Sequence, residues 1–288
     1  AFAHDWLYPR PEVLSTFLGN HDVGRFLGEP GATVDGLKLA NTLIMTSRGT
    51  PILYYGDEIG MGDNIYLGDR HGVRTPMQWN MNLNAGFSTA NPQKLYLPVI
   101  TDPVYRFESV NVATQDESPS SLMYWMRNVI AMRKRLQVFG RGEMKFIDTD
   151  NNKVLCFLRS DEKQRIIVVA NLSQFSQATT LNLSEFKNCE VTEVFSQNRF
   201  INVGEGQYSI TVGPYGYFWF QIDKAEQKDD RIHRGQRVVP ELHPGYAHHV
   251  ADLVLPDVEP DDGEYLTDDA EPDQDQPRPK GGLGAAVF

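Results

Sequence analysis

Residues 13–22 read VLSTFLGNHD, residues 34–47 read VDGLKLANTLIMTS, and residues 49–60 read GTPILYYGDEIG. The first and third are short apolar runs rich in β-branched residues, and their length predicts buried strands over Val13–Gly19 and Ile52–Tyr55. The middle stretch places Val34, Leu37, Ala40, Ile44 and Met45 near helical spacing, which predicts an amphipathic helix over Val34–Ser47. Strand, helix and strand joined by short connections are the signature of a parallel sheet. Polar groups follow each strand, at Asn20-His21-Asp22 and at Asp57-Glu58. In parallel α/β folds the ends of strands are where active sites collect.

Outward from this unit, residues 60–118 show Gly, Asn, Asp and Pro with little periodicity, which predicts a long functional loop carrying short helical turns. A helix is expected over Pro119–Leu136, capped by Ser118, with an apolar stripe that includes Leu122, Met126 and Val129. After Gly140-Arg141-Gly142 the period changes to two. Seven runs (Met144–Ile147, Val154–Arg159, Arg165–Asn171, Ala178–Leu183, Val191–Phe195, Tyr208–Val212 and Tyr217–Ile222) predict an antiparallel β-sandwich. The expected organisation is therefore α/β plus all-β, with an α/β portion at 1–139, an antiparallel β domain at 140–222, and a tail at 223–288.

That tail holds 16 acids against 7 bases and seven prolines, so it supplies most of the net charge of −11, and its composition predicts disorder. The acidity argues against nucleic-acid phosphate or an anionic membrane surface as partner. No apolar run approaches the ~20 residues of a membrane span. Two cysteines, Cys156 and Cys189, are too few for a disulfide scaffold and predict free thiols in a reducing cytoplasm.

Three groups invite chemistry. Asn20-His21-Asp22 sits at a strand end. A neutral imidazole beside an ionised carboxylate suits vicinal sugar hydroxyls, and the negative charge would stabilise an oxocarbenium-like transition state; a capping Asn/Asp pair with a surface His is the structural alternative. Arg70 and Arg74, four apart, could hold a carboxylate and donate to sugar oxygens, or else form ion pairs that stabilise their loop. Tyr54, Tyr55, Tyr66, Trp79, Phe87 and Tyr96 could stack on pyranose faces or pack as core. Asp57-Glu58 read as a helix-turn cap.

FLGNHD at 17–22, GTPILYYGDEIG at 49–60 and GVRTPMQW at 72–79 resemble the α-amylase superfamily, glycoside hydrolase family 13. NIYLGDRHGVRTPMQW at 64–79, NAGFS at 84–88, LYLPVI at 95–100, SVNVATQ at 109–115, FGRGEMKF at 139–146 and VVANLSQF at 168–175 resemble its trehalose synthase branch, whereas Gly19 and Val23-Gly24-Arg25-Phe26 look more like the neopullulanase or general α-amylase version. The resemblance implies the C-terminal part of a (β/α)8 TIM barrel, strands seven and eight only, followed by the β domain. It implies that Asp22 stabilises the transition state and that His21, Arg70 and Arg74 bind substrate. The nucleophile and the acid/base, carried by the family on strands four and five, would be absent from the chain, as would the calcium site. No metal or cofactor is therefore expected here, and the chain alone is expected to be inactive.

The implied reaction is retaining glucosyl transfer that interconverts maltose and trehalose. Hydrolysis of α-glucans, as in an α-glucosidase or α-amylase, is the alternative within enzymes. A non-catalytic sugar-binding or assembly unit, dimerising through the β domain, is the alternative outside them.

Overall fold

The chain is described by a computed structural model over residues 10–224, Gly206 excepted. The expected parallel pairing is present, but its first strand is shorter than Val13–Gly19 and its second lies just before Ile52–Tyr55, at residues expected only to stop the helix. A 3-10 turn at Pro11–Val13 leads into β1 (Ser15–Thr16), helix α1 (Val34–Thr46) follows, and β2 (Thr50–Pro51) returns parallel to β1 in the register Ser15↔Thr50, Thr16↔Pro51. The bonds that carry the pair are Thr50 N–H to Leu14 O at 2.7 Å and Ile52 N–H to Thr16 O at 2.8 Å. Among the described residues each strand pairs only with the other; the ladder ends at Thr16 and Ile52, ahead of the turn at Asn20 and the turn bond from Asp57 N–H to Tyr54 O. Both apolar runs continue past the hydrogen-bonded ladder, so apolarity alone misplaces the second strand by two residues. Thr33 caps α1, its hydroxyl accepting from Gly36 N–H at 3.0 Å.

The long loop holds 3-10 turns at His71–Val73, Leu83–Gly86 and Pro92–Lys94 and a short helix α2 (Val112–Asp116). The following helix, α3 (Leu122–Arg135), begins later than expected. Its cap is Ser121, which accepts from Tyr124 N–H at 3.2 Å. Ser118 instead accepts a turn bond from Ser121 N–H, so Pro119 lies in a turn ahead of the helix. One turn of helix, α4 (Val138–Arg141), then leads into the β domain.

All seven expected strands form: β3 (Glu143–Phe146), β4 (Val154–Ser160), β5 (Arg165–Asn171), β6 (Gln177–Leu181), β7 (Cys189–Glu193), β9 (Tyr208–Val212) and β10 (Tyr217–Lys224). A two-residue strand, β8 (Arg199–Phe200), was not anticipated. Six strands make one antiparallel sheet in the order β3-β4-β5-β10-β7-β8, and β6 pairs with β9. Strand β10 continues through Asp223 and Lys224, which pair with Glu190 and Cys189, so the tail expected from 223 starts after these two residues; 225–288 lie outside the described residues.

The large sheet is buried on both faces. Ile167 and Val169 of β5 join Leu181 and Val212 in a core under the two-stranded sheet. Ile166 and Val168, facing the other way, join Trp219, Phe139, Met126, Val129 and Met45 in a second core shared with α1 and α3. A strand buried on both sides reads as a continuous apolar run, and IIVVA is one.

Within that second core lies Arg159 of β4, 1 % exposed. It has no carboxylate partner in that core. Its guanidinium donates to six carbonyls: Glu143, Thr46, Ser47 (2.8 Å), Val138 (3.1 Å), Phe139 (3.1 Å) and Gly142 (3.0 Å). These include the C-terminal end of α1, where carbonyls lack helical partners and a cation is favoured by the dipole, and the one-turn helix α4, whose Val138 O also accepts from Gly142 N–H. Arg133 of α3 adds bonds to Met45 O and, at 3.2 Å, to Gly49 O. The turn from α1 into β2 is thus gripped from α3 and from the β domain. Burial lowers the Arg159 pKa to about 10, which leaves it charged at neutral pH.

Replacing Arg159 by Met would strand these carbonyls, and urea unfolding should show a loss of about 3 kcal/mol or more. Arg159→Lys should not restore it, because an ammonium cannot fork between two helix ends; a change within about 1 kcal/mol for Met would show that water or neighbouring groups take over the carbonyls. Separately, Val13, Phe17 and Ile52 are exposed on the β1–β2 unit, so the chain should bind an apolar dye, and Phe17→Ser with Ile52→Thr should reduce that binding. Equal binding by the variant would locate the apolar surface elsewhere.

Candidate active site

The Asn20 carboxamide turns the chain at the end of the first parallel segment. Its Oδ1 accepts from Asp22 N–H at 2.7 Å and Val23 N–H at 3.0 Å, an Asx-type turn that sets the next two side chains outward. Asp22 Oδ1 then receives two guanidinium bonds, from Arg70 Nη1 at 3.0 Å and Arg74 Nη2 at 3.0 Å. Arg74 Nε also donates to the His21 carbonyl at 2.8 Å. The other carboxylate oxygen, Oδ2, lies 3.4 Å from His21 Nε2. All four residues singled out from the sequence therefore meet at one point on the surface, 48 to 53 residues apart in chain order. The reading of the arginines as loop ion pairs within their own segment is replaced by a pair converging on Asp22; only a 3.8 Å contact from Arg70 to Asp69 is local.

Electrostatics follow from the geometry. Desolvation alone would raise the Asp22 pKa, but the Arg70 charge, with His21 and the bonds from both arginines, outweighs it and holds the carboxyl below its ordinary value. The side chain stays solvent-accessible, so Oδ2 can accept from a ligand.

Below this cluster lies a buried support that the sequence did not reveal. Arg25 is fully buried. It donates through Nη1 to Tyr55 O and to Asp57 Oδ1 at 3.2 Å, while its backbone N–H bonds Asp63 Oδ2 at 3.0 Å. Tyr54 and Tyr55 lie over its guanidinium, 4.6 and 4.7 Å from ring centre to Cζ. These two tyrosines are accordingly not free to stack on a sugar as a pair. Their hydroxyls donate to Val73 O at 3.0 Å and Thr75 O at 2.6 Å, bracketing Arg74. Asp57 does not cap the following turn, whose first position is Gly56 with left-handed backbone. It is taken by Arg25, and burial still pushes its pKa up to about 6. The signal that could have exposed this support is the adjacent Tyr-Tyr pair, which has two aromatic faces to offer a cation.

The arginine loop is pinned at its middle. Asn64 N–H donates to Gly72 O at 3.0 Å, and a Cβ on Gly72 would stand 2.6 Å from Asn64 O. Of the remaining aromatics, Trp79, Phe87 and Tyr96 line a hollow that also touches Arg74, while Tyr66 does not line it and is exposed.

Because the fold favours ionised Asp22, its contribution is present above the ordinary carboxylate value and is lost as pH falls through the lowered one. Carbon-detected titration should place the Asp22 midpoint below ~3.9 and move it upward in Arg70→Met. An unmoved midpoint would mean that the Arg70 charge is not what holds it down.

The family model for the alpha amylase catalytic domain matches residues 4–142, and that for the maltogenic amylase C-terminal domain matches residues 144–219. The chain is 44 % identical over 190 residues to a trehalose synthase of Thermus thermophilus, covering 66 % of this chain and 20 % of that protein. It is 42 % identical over 193 residues to the trehalose synthase/amylase TreS of Mycobacterium tuberculosis, covering 66 % and 32 %. It thus spans a third or less of the length of these two relatives. In structure it is similar to the trehalose-6-phosphate hydrolase of Bacillus licheniformis, with a TM-score of 0.60 over 73 % of this chain and 43 % of that one; at 22 % identity this is a likeness of fold. A catalytic-domain match running directly into a C-terminal-domain match, over a parallel strand unit and an antiparallel β domain, means that the chain belongs to the α-amylase superfamily of glycoside hydrolases.

Proposed function

We propose that Asp22, His21, Arg70 and Arg74 form one wall of the glucosyl pocket of a retaining enzyme of trehalose synthase type, which interconverts maltose and trehalose by intramolecular glucosyl transfer. The single observation that carries this reading is Asp22 at the end of a parallel segment with one oxygen shared by two guanidiniums. The names of the two relatives support the reaction.

In this reading the arginines keep Asp22 ionised through Oδ1, and Oδ2 accepts from sugar hydroxyls. The carboxylate charge stabilises positive charge that develops on the ring as the glycosidic bond breaks. His21 donates to a neighbouring hydroxyl. The nucleophile and the proton-donating acid belong on polypeptide beyond these residues, so the 288-residue chain alone turns over no sugar. A calcium ion of the kind found in the family belongs, on this reading, with the same missing strands.

Cys156 and Cys189 are free and buried, which suits the cytoplasmic location we propose; no helix among the described residues is long and apolar enough to cross a membrane. Self-association through the β domain also belongs to this proposal. Hydrolysis is the second reading, favoured by the amylase half of the M. tuberculosis relative's name.

Maltose added to the chain should shift the His21 ring signals saturably in proton NMR, and Asp22→Asn should abolish the shift. The same sample should contain neither trehalose nor glucose above a protein-free blank. Trehalose or glucose would overturn the assignment of the missing carboxyls to other polypeptide, with glucose alone favouring hydrolysis; a silent His21 would overturn the pocket wall.

A further inference from the structure

The side chain of Arg25 has two carboxylates beside it and reaches one. Nη1 donates to Asp57 Oδ1 at 3.2 Å, whereas Nε stands 3.9 Å from Asp63 Oδ1. That Nε–H is buried and has no hydrogen-bond partner among the described residues. An unmet donor away from water is costly. The Asp63 carboxylate is firmly seated. Its oxygens accept from the Arg25 backbone N–H at 3.3 and 3.0 Å, and a Cβ on Gly28 would stand 2.6 Å from Oδ2. With the Arg25 backbone and the Asp63 carboxylate fixed to each other, the guanidinium is the part that can move, and Asp63 offers it a second seat.

In its present seat the guanidinium supports the surface cluster. Nη1 also donates to Tyr55 O, and Nη2 donates to Val73 O at 3.5 Å. The faces of Tyr54 and Tyr55 lie against it, and their hydroxyls donate to Val73 O and Thr75 O, the carbonyls on either side of Arg74. Arg74 in turn holds His21 O and Asp22 Oδ1. A move toward Asp63 draws the charge away from Val73 O and from both rings.

The charge on Asp57 decides between the seats. Ionised, it is the nearer carboxylate, in a layer where attraction is weakly screened. Protonated, it leaves Asp63 as the charged partner. The other groups that face this turn do not replace it. Glu58 beside Asp57 and Glu29 beyond Asp63 are both acidic. Burial pushes Tyr54 up to about 12, so its hydroxyl keeps its proton. Arg74 on the arginine loop is taken by Asp22. Helix α3 packs here with apolar Leu122 and Met123, and Gln115 of α2 donates to Ile59 O at 2.6 Å. Burial raises both carboxyls, Asp57 to about 6; for Asp63 the bond from the Arg25 N–H is the next influence and opposes the rise.

We propose that Arg25 is a positioning residue with two seats: with Asp57 charged it braces Val73 and Tyr55 and so sets Arg74 on Asp22, and with Asp57 protonated it moves to Asp63 and releases that brace. A proton taken up in the interior is thereby sensed at the surface cluster. Weaker maltose binding in mild acid is the consequence for sugar, and only that consequence rests on the glucoside reading of Asp22. The test is made on the labelled 288-residue chain without sugar. Carbon-detected spectra follow the Asp57 carboxyl and the Arg74 guanidinium from about pH 7.5 to about 4.5, with the His21 and His71 rings as controls, because imidazoles change charge in the same span. Arg74 should step at the Asp57 midpoint, about 6, and that step should remain when His21→Gln and His71→Gln are combined. Asp57→Asn should hold Arg74 at its acid position throughout. Asp63→Asn, which takes the charge from the second seat, should abolish the step while Asp57 still titrates.

An Arg74 signal that follows only the imidazoles, a step unchanged in Asp63→Asn, or an Asp57 carboxyl that does not titrate would overturn the two seats. Should a variant fail to melt cooperatively, the unsubstituted chain decides alone: coincident Asp57 and Arg74 midpoints support the proposal, and midpoints more than about half a unit apart overturn it. A His21 silent to maltose beside an intact Arg74 step would remove the glucoside reading and leave the brace. A His21 that responds to maltose beside an Arg74 without the step would remove the brace alone.

Discussion

The guanidinium of Arg159 is the contact on which the rest of the architecture depends. It reaches from β4 across the interface and collects carbonyls from the ends of α1 and α4. Helix ends buried without partners would cost several kcal/mol, so the β domain answers a need created by the parallel unit. Arg133 grips the same turn from α3. What is held is the lead-in to β2, and through β2 the Tyr54-Tyr55 pair. From there the support passes by hydrogen bonds to the carbonyls on either side of Arg74 and so to Asp22. The candidate site is surface-exposed, but Arg74 within it is braced from the interior through these carbonyls.

Two kinds of buried arginine do different work. Arg159 donates to backbone oxygens beside the Phe139 ring, so its charge is spread over partial dipoles. Arg25 meets Asp57 beneath two tyrosine faces, and its N–H holds Asp63. There burial wins over attraction for the carboxylate, whose pKa rises. Asp22, open to water and facing two guanidiniums, moves the opposite way. The same pairing of charges thus keeps a carboxylate ionised at the surface and makes ionisation costly one layer below.

Much of this was readable in advance where the information is local. Period-two alternation, and in β5 a continuous β-branched run, located the seven longer β strands, because a strand's faces are either divided between core and solvent or both buried. The Asn-His-Asp triplet and the paired arginines were recognisable as groups that could share a ligand. Boundaries failed where partners decide them: Ser118 and Ser121 are equally good caps on paper, and turn bonding chose the second. The first parallel strand is shorter than its apolar run, and the second precedes its own, for the same reason. Arg25 and Arg159 were invisible, since their partners lie up to 113 positions away and nothing near them in sequence marks burial. Asp57 was misplaced as a cap because its true partner was one of these.

Gly72 closes the account of the arginine loop. Its missing side chain is what lets the chain come within bonding distance of Asn64, and it sits midway between Arg70 and Arg74. Whatever prises this waist open displaces both guanidiniums in one movement, stripping Asp22 of two counterions together. A bulkier residue at this one uncharged position would therefore strain both cationic contacts together.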